Sequence, residues 1–191
     1  MLCLTVPSQP SWIERVRLDL DGLLADHAHC EKKAAVNAMS MVNRYPDKVR
    51  LVHEMIALAK EEMEHFERVY SYIVDRGCVL PRDHGDPYVQ ALHREIRASE
   101  PARLLDSLLV AALVEARSCE RFSILSQHVE DTGLRVFYAE LLASEAGHYR
   151  TFVDIAREYF SETDVRDRLA ELARREGEVV MELQSVPTVH G

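Results

Sequence analysis

Four long stretches of this chain carry apolar residues at helical spacing, and each is interrupted by a glutamate where a core residue is due. The first runs Leu20, Leu24, Ala28, Glu31, Ala35, Ala38, Val42, and the second Leu51, Met55, Ala59, Glu62, Phe66, Val69, Ile73. The third runs Leu105, Leu108, Ala112, Glu115, Cys119, Phe122, Val129, and the fourth Phe137, Leu141, Glu145, His148, Phe152, Ile155, Tyr159. Steps of three and four residues place each set on one face of a helix. A carboxylate on a core-facing stripe is unfavourable unless it is paired or bound to a cation. Four of them at similar heights mean either a bound cation or a bundle whose helix faces are turned otherwise, and that choice constrains the chain more than any other feature.

Two of the four glutamates belong to Glu-x-x-His motifs, Glu62-Met63-Glu64-His65 and Glu145-Ala146-Gly147-His148. Residues at i and i+3 lie on nearly the same helical face, so each motif aims one oxygen and one nitrogen at a common point. Glu31 stands opposite Glu62 if the chain reverses near Pro46, and Glu115 stands opposite Glu145 if it reverses near Asp131. The result is four glutamates and two histidines in matching pairs, the dimetal donor set of ferritin-like carboxylate bundles. Oxygen-rich ligation with two imidazoles suits iron or manganese better than zinc or copper. Glu120 is the rival to Glu115, but five residues turn it about 140° round the helix. His27, one turn before Glu31, is either a further site residue or a satisfied core histidine. Glu61 is either a partner that orients His148 or a solvated charge.

The rest of the sequence fits an all-α reading: a ferritin-like four-helix bundle with additional short helices. Seven glycines and seven prolines in 191 residues are too few for a β-rich chain. We expect a single domain over 1–191, with its core bundle at about 20–160. Ser11 caps a short helix carrying Trp12, Ile13 and Val16. Long helices follow over 21–44, capped at its end by Tyr45-Pro46-Asp47, and up to 76. The same tripeptide caps the second of these. Residues 77–86 form a loop, 87–98 a short helix crossing one end of the bundle, and Ser99 or Glu100 caps the third long helix. A charged helix spans about 162–183, and 185–191 is loose. No apolar run reaches the ~20 residues of a membrane span, and the N-terminus lacks signal-peptide features. These point to a cytoplasmic chain with four reduced cysteines.

The stretches Asp26-His27-Ala28-His29-Cys30-Glu31-Lys32-Lys33-Ala34-Ala35, Glu115-Ala116-Arg117-Ser118-Cys119-Glu120-Arg121-Phe122 and Ser144-Glu145-Ala146-Gly147-His148-Tyr149 closely resemble the tRNA 2-methylthio-isopentenyladenosine hydroxylase family. The resemblance extends from about residue 12 to 159. It implies a diiron monooxygenase that hydroxylates the isopentenyl group of a modified adenosine beside the tRNA anticodon. It also implies Glu31, Glu62, His65, Glu115, Glu145 and His148 as iron ligands. O2 would be the co-substrate, and electrons would come from a separate reductase, since the chain has no flavin or nicotinamide motif. The partners expected are tRNA and that reductase, with no membrane and a monomeric chain. The small residues Ala34, Ala35, Ala38, Ala111 and Ala112 leave room for a five-carbon tail. The alternative function is a ferritin-like iron-binding or ferroxidase protein with no organic substrate.

A net charge of −9 sits awkwardly with a tRNA substrate. Two divalent ions neutralise four ligand carboxylates, and −9 plus 4 leaves −5 elsewhere. Residues 154–182 hold nine acids and five bases, a net −4, so the remaining surface is near neutral. Lys32, Lys33, Arg117 and Arg121 are the candidates for a basic patch that meets phosphate.

Overall fold

Local chemistry sets where each helix starts. In the computed structural model, which describes residues 2–183 and 188–190, seven α-helices and no strands are found among the described residues. They are α1 (Pro10–Leu18), α2 (Leu20–Arg44), α3 (Val49–Asp75), α4 (Pro87–His93), α5 (Ala102–His128), α6 (Thr132–Tyr159) and α7 (Glu162–Glu182). Side chains of Asp19, Asp86, Asp131 and Ser161 accept from backbone N–H groups in the first turns of α2, α4, α6 and α7, satisfying donors that helix geometry leaves over. Asp131→Ala should therefore cost about 1 kcal/mol, read as a lower thermal midpoint with the fold retained.

Several boundaries differ from expectation. The first helix starts at Pro10 rather than after a Ser11 cap, because proline at the first helical position gives up no needed donor. Tyr45-Pro46-Asp47 does not cap α3; the N-cap is Lys48, without a side-chain bond. Neither Ser99 nor Glu100 is the formal cap of α5, which is Pro101, although the Glu100 carboxylate accepts from Leu104 N–H at 3.3 Å. The helix from Pro87 ends at His93 instead of reaching 98, and tighter i→i+3 bonds carry the chain through Ile96.

The chain forms two compact units. One contains the hairpin of α2 and α3, and the other contains α1 and α4–α7. In the α2/α3 hairpin, Leu24, Ala28, Ala35 and Ala38 of α2 and Leu51, Met55, Ala59 and Val69 of α3 are buried, as the stripes predict. In the other unit, α5 is apolar far beyond one stripe. Leu104, Leu109, Val110 and Leu113 are buried beside Leu105, Leu108 and Ala112, the pattern of a helix covered nearly all round. Within that unit α6 packs along it, and α4 and α7 pack on it as well.

Two charged clusters tie this unit together. Asp106 on α5, fully buried, accepts from the backbone and guanidinium of Arg97 and from Arg168 of α7 at 2.7–3.1 Å. Burial raises the Asp106 pKa, but the hydrogen bonds from Arg97 and Arg168 outweigh it and hold the carboxyl below its ordinary value. A depressed carboxyl stabilises the fold above its unfolded pKa of about 4, and that contribution is lost as pH falls through the folded value. Asp106→Asn should thus cost about 2 kcal/mol at neutral pH, with the difference shrinking below about pH 3 in acid-unfolding curves.

The second cluster centres on Arg117 and Glu176, both 0% exposed. Arg117 donates to Glu176 Oε1 through Nε at 2.9 Å and Nη2 at 2.7 Å, and to Glu120 at 2.6 Å. Arg121 lies over the Trp12 ring, 4.1 Å from its centroid. Burial first, and the neighbouring Arg117 charge second, bring the Arg121 pKa down to about 9. The expected basic patch loses both arginines as a result. They are core residues, which the sequence hid because Glu176 lies 59 residues from Arg117.

The expectation of a loose end at 185–191 falls partly on 185–187 and 191, outside the described residues. Where it can be tested it fails: Val189 and His190 are buried. His190 bonds Asp86 at 2.9 Å and Ser118 at 3.0 Å and stacks on Tyr88.

Candidate metal centre

Each unit carries one half of the predicted donor set. In the α2/α3 hairpin, donor atoms of Glu31, Glu62 and His65 lie within 4.8 Å of one another. His65 Nδ1 is 3.6 Å from Glu31 Oε2 and 3.7 Å from Glu62 Oε2. All three side chains are buried, Glu62 to 1% exposure. Burial pushes the Glu31 carboxyl up, yet hydrogen bonds with Glu62, His27 and His65 hold it well below the usual carboxylate range. The Glu61 carboxylate is 3.9 Å from His65 Nε2 on its own helix and partly exposed.

In the other unit, donor atoms of Glu115, Glu145 and His148 likewise lie within 4.8 Å of one another. His148 Nδ1 is 3.6 Å from Glu145 Oε2, the same i, i+3 relation found between His65 and Glu62. Glu120 is drawn elsewhere, accepting from Ser8 N–H and hydroxyl and from Arg117, each at 2.6 Å. Burial, reinforced by the Glu145 charge, pushes the Cys119 thiol up to about 12, so it remains protonated and donates to Leu142 O at 3.5 Å. It adds no thiolate to the donor set.

Each half thus presents two carboxylates and one imidazole, all shielded from water. Their charge matches one divalent cation, and oxygen with imidazole is a donor set iron accepts readily. Burying two like charges so close is costly in the absence of such an ion. The residues present therefore fit one divalent iron per half. A cavity of about 390 Å3 in the larger unit, lined by residues such as Arg97, Pro101, Leu105 and Phe160, contains none of these donors.

The role of His27 was only half legible from the sequence. Its position four residues before Glu31 placed it on the inner face, but not whether it touched the acid. The ring is fully buried, and its Nε2 is 2.5 Å from Glu31 Oε1.

Comparisons with known proteins place the chain in a family. Residues 1–191 match the family described as tRNA-(MS2IO6A)-hydroxylase (MiaE). The chain is 41% identical to a tRNA 2-(methylsulfanyl)-N(6)-isopentenyladenosine(37) hydroxylase of Pseudomonas putida, an alignment covering 88% of this chain and 81% of that protein. It is 28% identical to the protein of the same description from Salmonella typhimurium, covering 92% and 82%. Among solved structures, protein 43 with aldehyde deformylating oxygenase activity from Synechococcus superposes with a TM-score of 0.95 at 38% identity, over 100% of this chain and 96% of that chain. No helix of the described residues is long and apolar enough to cross a membrane.

Proposed function

The chain belongs to the tRNA-(MS2IO6A)-hydroxylase (MiaE) family, a group of ferritin-like helical fold, and from that premise we propose that it is a diiron monooxygenase hydroxylating the isopentenyl group of 2-methylthio-isopentenyladenosine in tRNA. The observation that carries the proposal is the duplicated buried half-site. Glu31, Glu62 and His65 would hold one iron, and Glu115, Glu145 and His148 the other. We read the chain as a single ferritin-like domain, monomeric, and cytoplasmic because that is where a tRNA substrate is found.

The bound irons would supply the two-electron chemistry that activates O2 toward an unactivated C–H bond. One oxygen atom ends in the alcohol and the other in water, with two electrons and two protons consumed. The electrons come from a separate reductase. The residues of the chain supply position and dryness. The helical i, i+3 spacing fixes each Glu-His pair, the hairpin brings the third acid to it, and apolar neighbours keep solvent from the reacting centre. Of the four cations first considered for phosphate contact, Lys32 and Lys33 remain, each near Asp83 at the edge of the α2 hairpin.

The test is iron content and near-ultraviolet absorption of aerobically purified protein, followed by nucleoside mass analysis of modified tRNA after incubation with O2 and a reductant. About two irons per chain and a hydroxylated nucleoside support the proposal. Iron oxidation without an organic product would instead favour a ferroxidase. Because the Synechococcus structure is described by an aldehyde-deformylating activity, an aldehyde belongs in the same assay as the competing substrate.

A further inference from the structure

We infer that His27 is a positioning residue that commits one oxygen of Glu31 and so makes the two iron half-sites unequal. The inference rests on the diiron reading above. Glu31 has two carboxylate oxygens, and the structure gives them different neighbours. Oε1 lies 2.5 Å from His27 Nε2, whereas Oε2 is turned toward His65 Nδ1 at 3.6 Å. With Oε1 held by the imidazole, Oε2 is the oxygen presented to a metal, and the carboxylate is kept from swinging into a two-oxygen grip. The short bond also fixes the Glu31 rotamer. Pre-orientation of this kind strengthens ligation, because less freedom is lost when the ion arrives.

The other half-site is built differently at the corresponding place. Four residues before Glu115 stands Ala111, buried, with a methyl group where α2 has an imidazole. The donor sets match, but the residue one turn behind the first acid does not. The ion held through Glu31 thus has a fixed one-oxygen ligand supported from behind, an arrangement that Ala111 cannot give Glu115. The simpler reading of His27 as a core histidine satisfied by a nearby acid accounts for its burial. It predicts an effect on folding stability alone.

The experiment is anaerobic ferrous titration of the full-length metal-free protein, comparing wild type with His27→Ala and His27→Gln. Binding is followed by Mössbauer spectra of added 57Fe and by equilibrium dialysis, and melting of the metal-free forms is recorded alongside. Glutamine places an N–H donor close to the imidazole Nε2, so it should restore what alanine removes. The expected result is two unequal binding steps in wild type, with one step weakened roughly 10–100-fold in His27→Ala and largely recovered in His27→Gln. Added imidazole should restore the step in His27→Ala by occupying the space left behind. Two binding steps of wild-type strength in His27→Ala, with only the melting temperature changed, would overturn the inference and leave the diiron reading intact. Failure of wild type itself to bind iron would overturn the diiron reading and this inference with it. If His27→Ala does not fold, a wild-type-like pair of steps in His27→Phe, which fills the space without a donor, would overturn the inference equally.

Discussion

Replacing Glu62 or His148 by alanine should strip iron from the protein and reduce tRNA hydroxylation to background. Both side chains are buried and each belongs to a three-donor cluster. Removing a ligand should exceed the roughly 10–100-fold losses typical of the groups that merely orient ligands. Stability without metal should move the other way. Glu62 and Glu31 are buried acids with donor atoms inside a 4.8 Å cluster, so the metal-free chain must either bear their repulsion or take up a proton between them, and both oppose folding at neutral pH. Glu62→Gln keeps the volume and removes a charge, and should melt higher than wild type in the presence of a chelator. Added ferrous iron should reverse the order: ligand at 100 times its dissociation constant stabilises wild type by about 2.7 kcal/mol, and the variant gains less. Calorimetry with and without chelator reads both signs. Unchanged iron content and turnover in both alanine variants would show these residues to be structural.

The convergence of the buried acids and histidines was legible because its logic is local. A Glu-x-x-His pair needs only helical spacing to converge, and Glu31 with Glu62, or Glu115 with Glu145, needs only a turn midway between them. Choosing Glu115 over Glu120 took the structure, although the angular argument already leaned that way. Glu120 is occupied by Ser8, 112 residues distant in sequence. Arg117 and Arg121 were misread for the same kind of reason. An arginine beside a glutamate on a helix looks like a solvated pair until α7 brings Glu176 against it. His190 shows the same limit. Its partners Asp86 and Ser118 lie 104 and 72 residues away, and nothing in the last residues announces them. Helix ends were missed where proline or a turn bond, rather than a capping side chain, sets the boundary, as at Pro10 and His93. What the sequence hides throughout is the long-range partner that decides whether a polar side chain faces water or the core.

That hidden partner makes Arg117 the residue whose loss should most damage the fold. Arg117→Met removes the charge and keeps the bulk, leaving Glu176 buried with only the Tyr88 hydroxyl at 2.9 Å. Glu176 Oε2 makes no hydrogen bond within the described structure, so Arg117 provides most of its compensation. Breaking one side of a buried ion pair costs about 3–5 kcal/mol, which for a chain of this size lowers the thermal midpoint by about 6–20 °C. The pH dependence identifies the cause. Burial already raises the Glu176 pKa despite the attraction of Arg117, and without the arginine it should rise further, toward the 8–9 documented for buried glutamates. A carboxyl whose folded pKa lies above its unfolded one favours the fold when protonated, and loses that advantage as pH rises between the two values. The deficit of Arg117→Met should therefore be smaller at pH 5 than at pH 8. Adding Glu176→Gln should recover much of it at pH 8 and little at pH 5. Thermal melts of the two variants at both pH values decide the matter. A deficit independent of pH, and not relieved by the second substitution, would mean that Arg117 stabilises the helices by packing and that its charge is incidental.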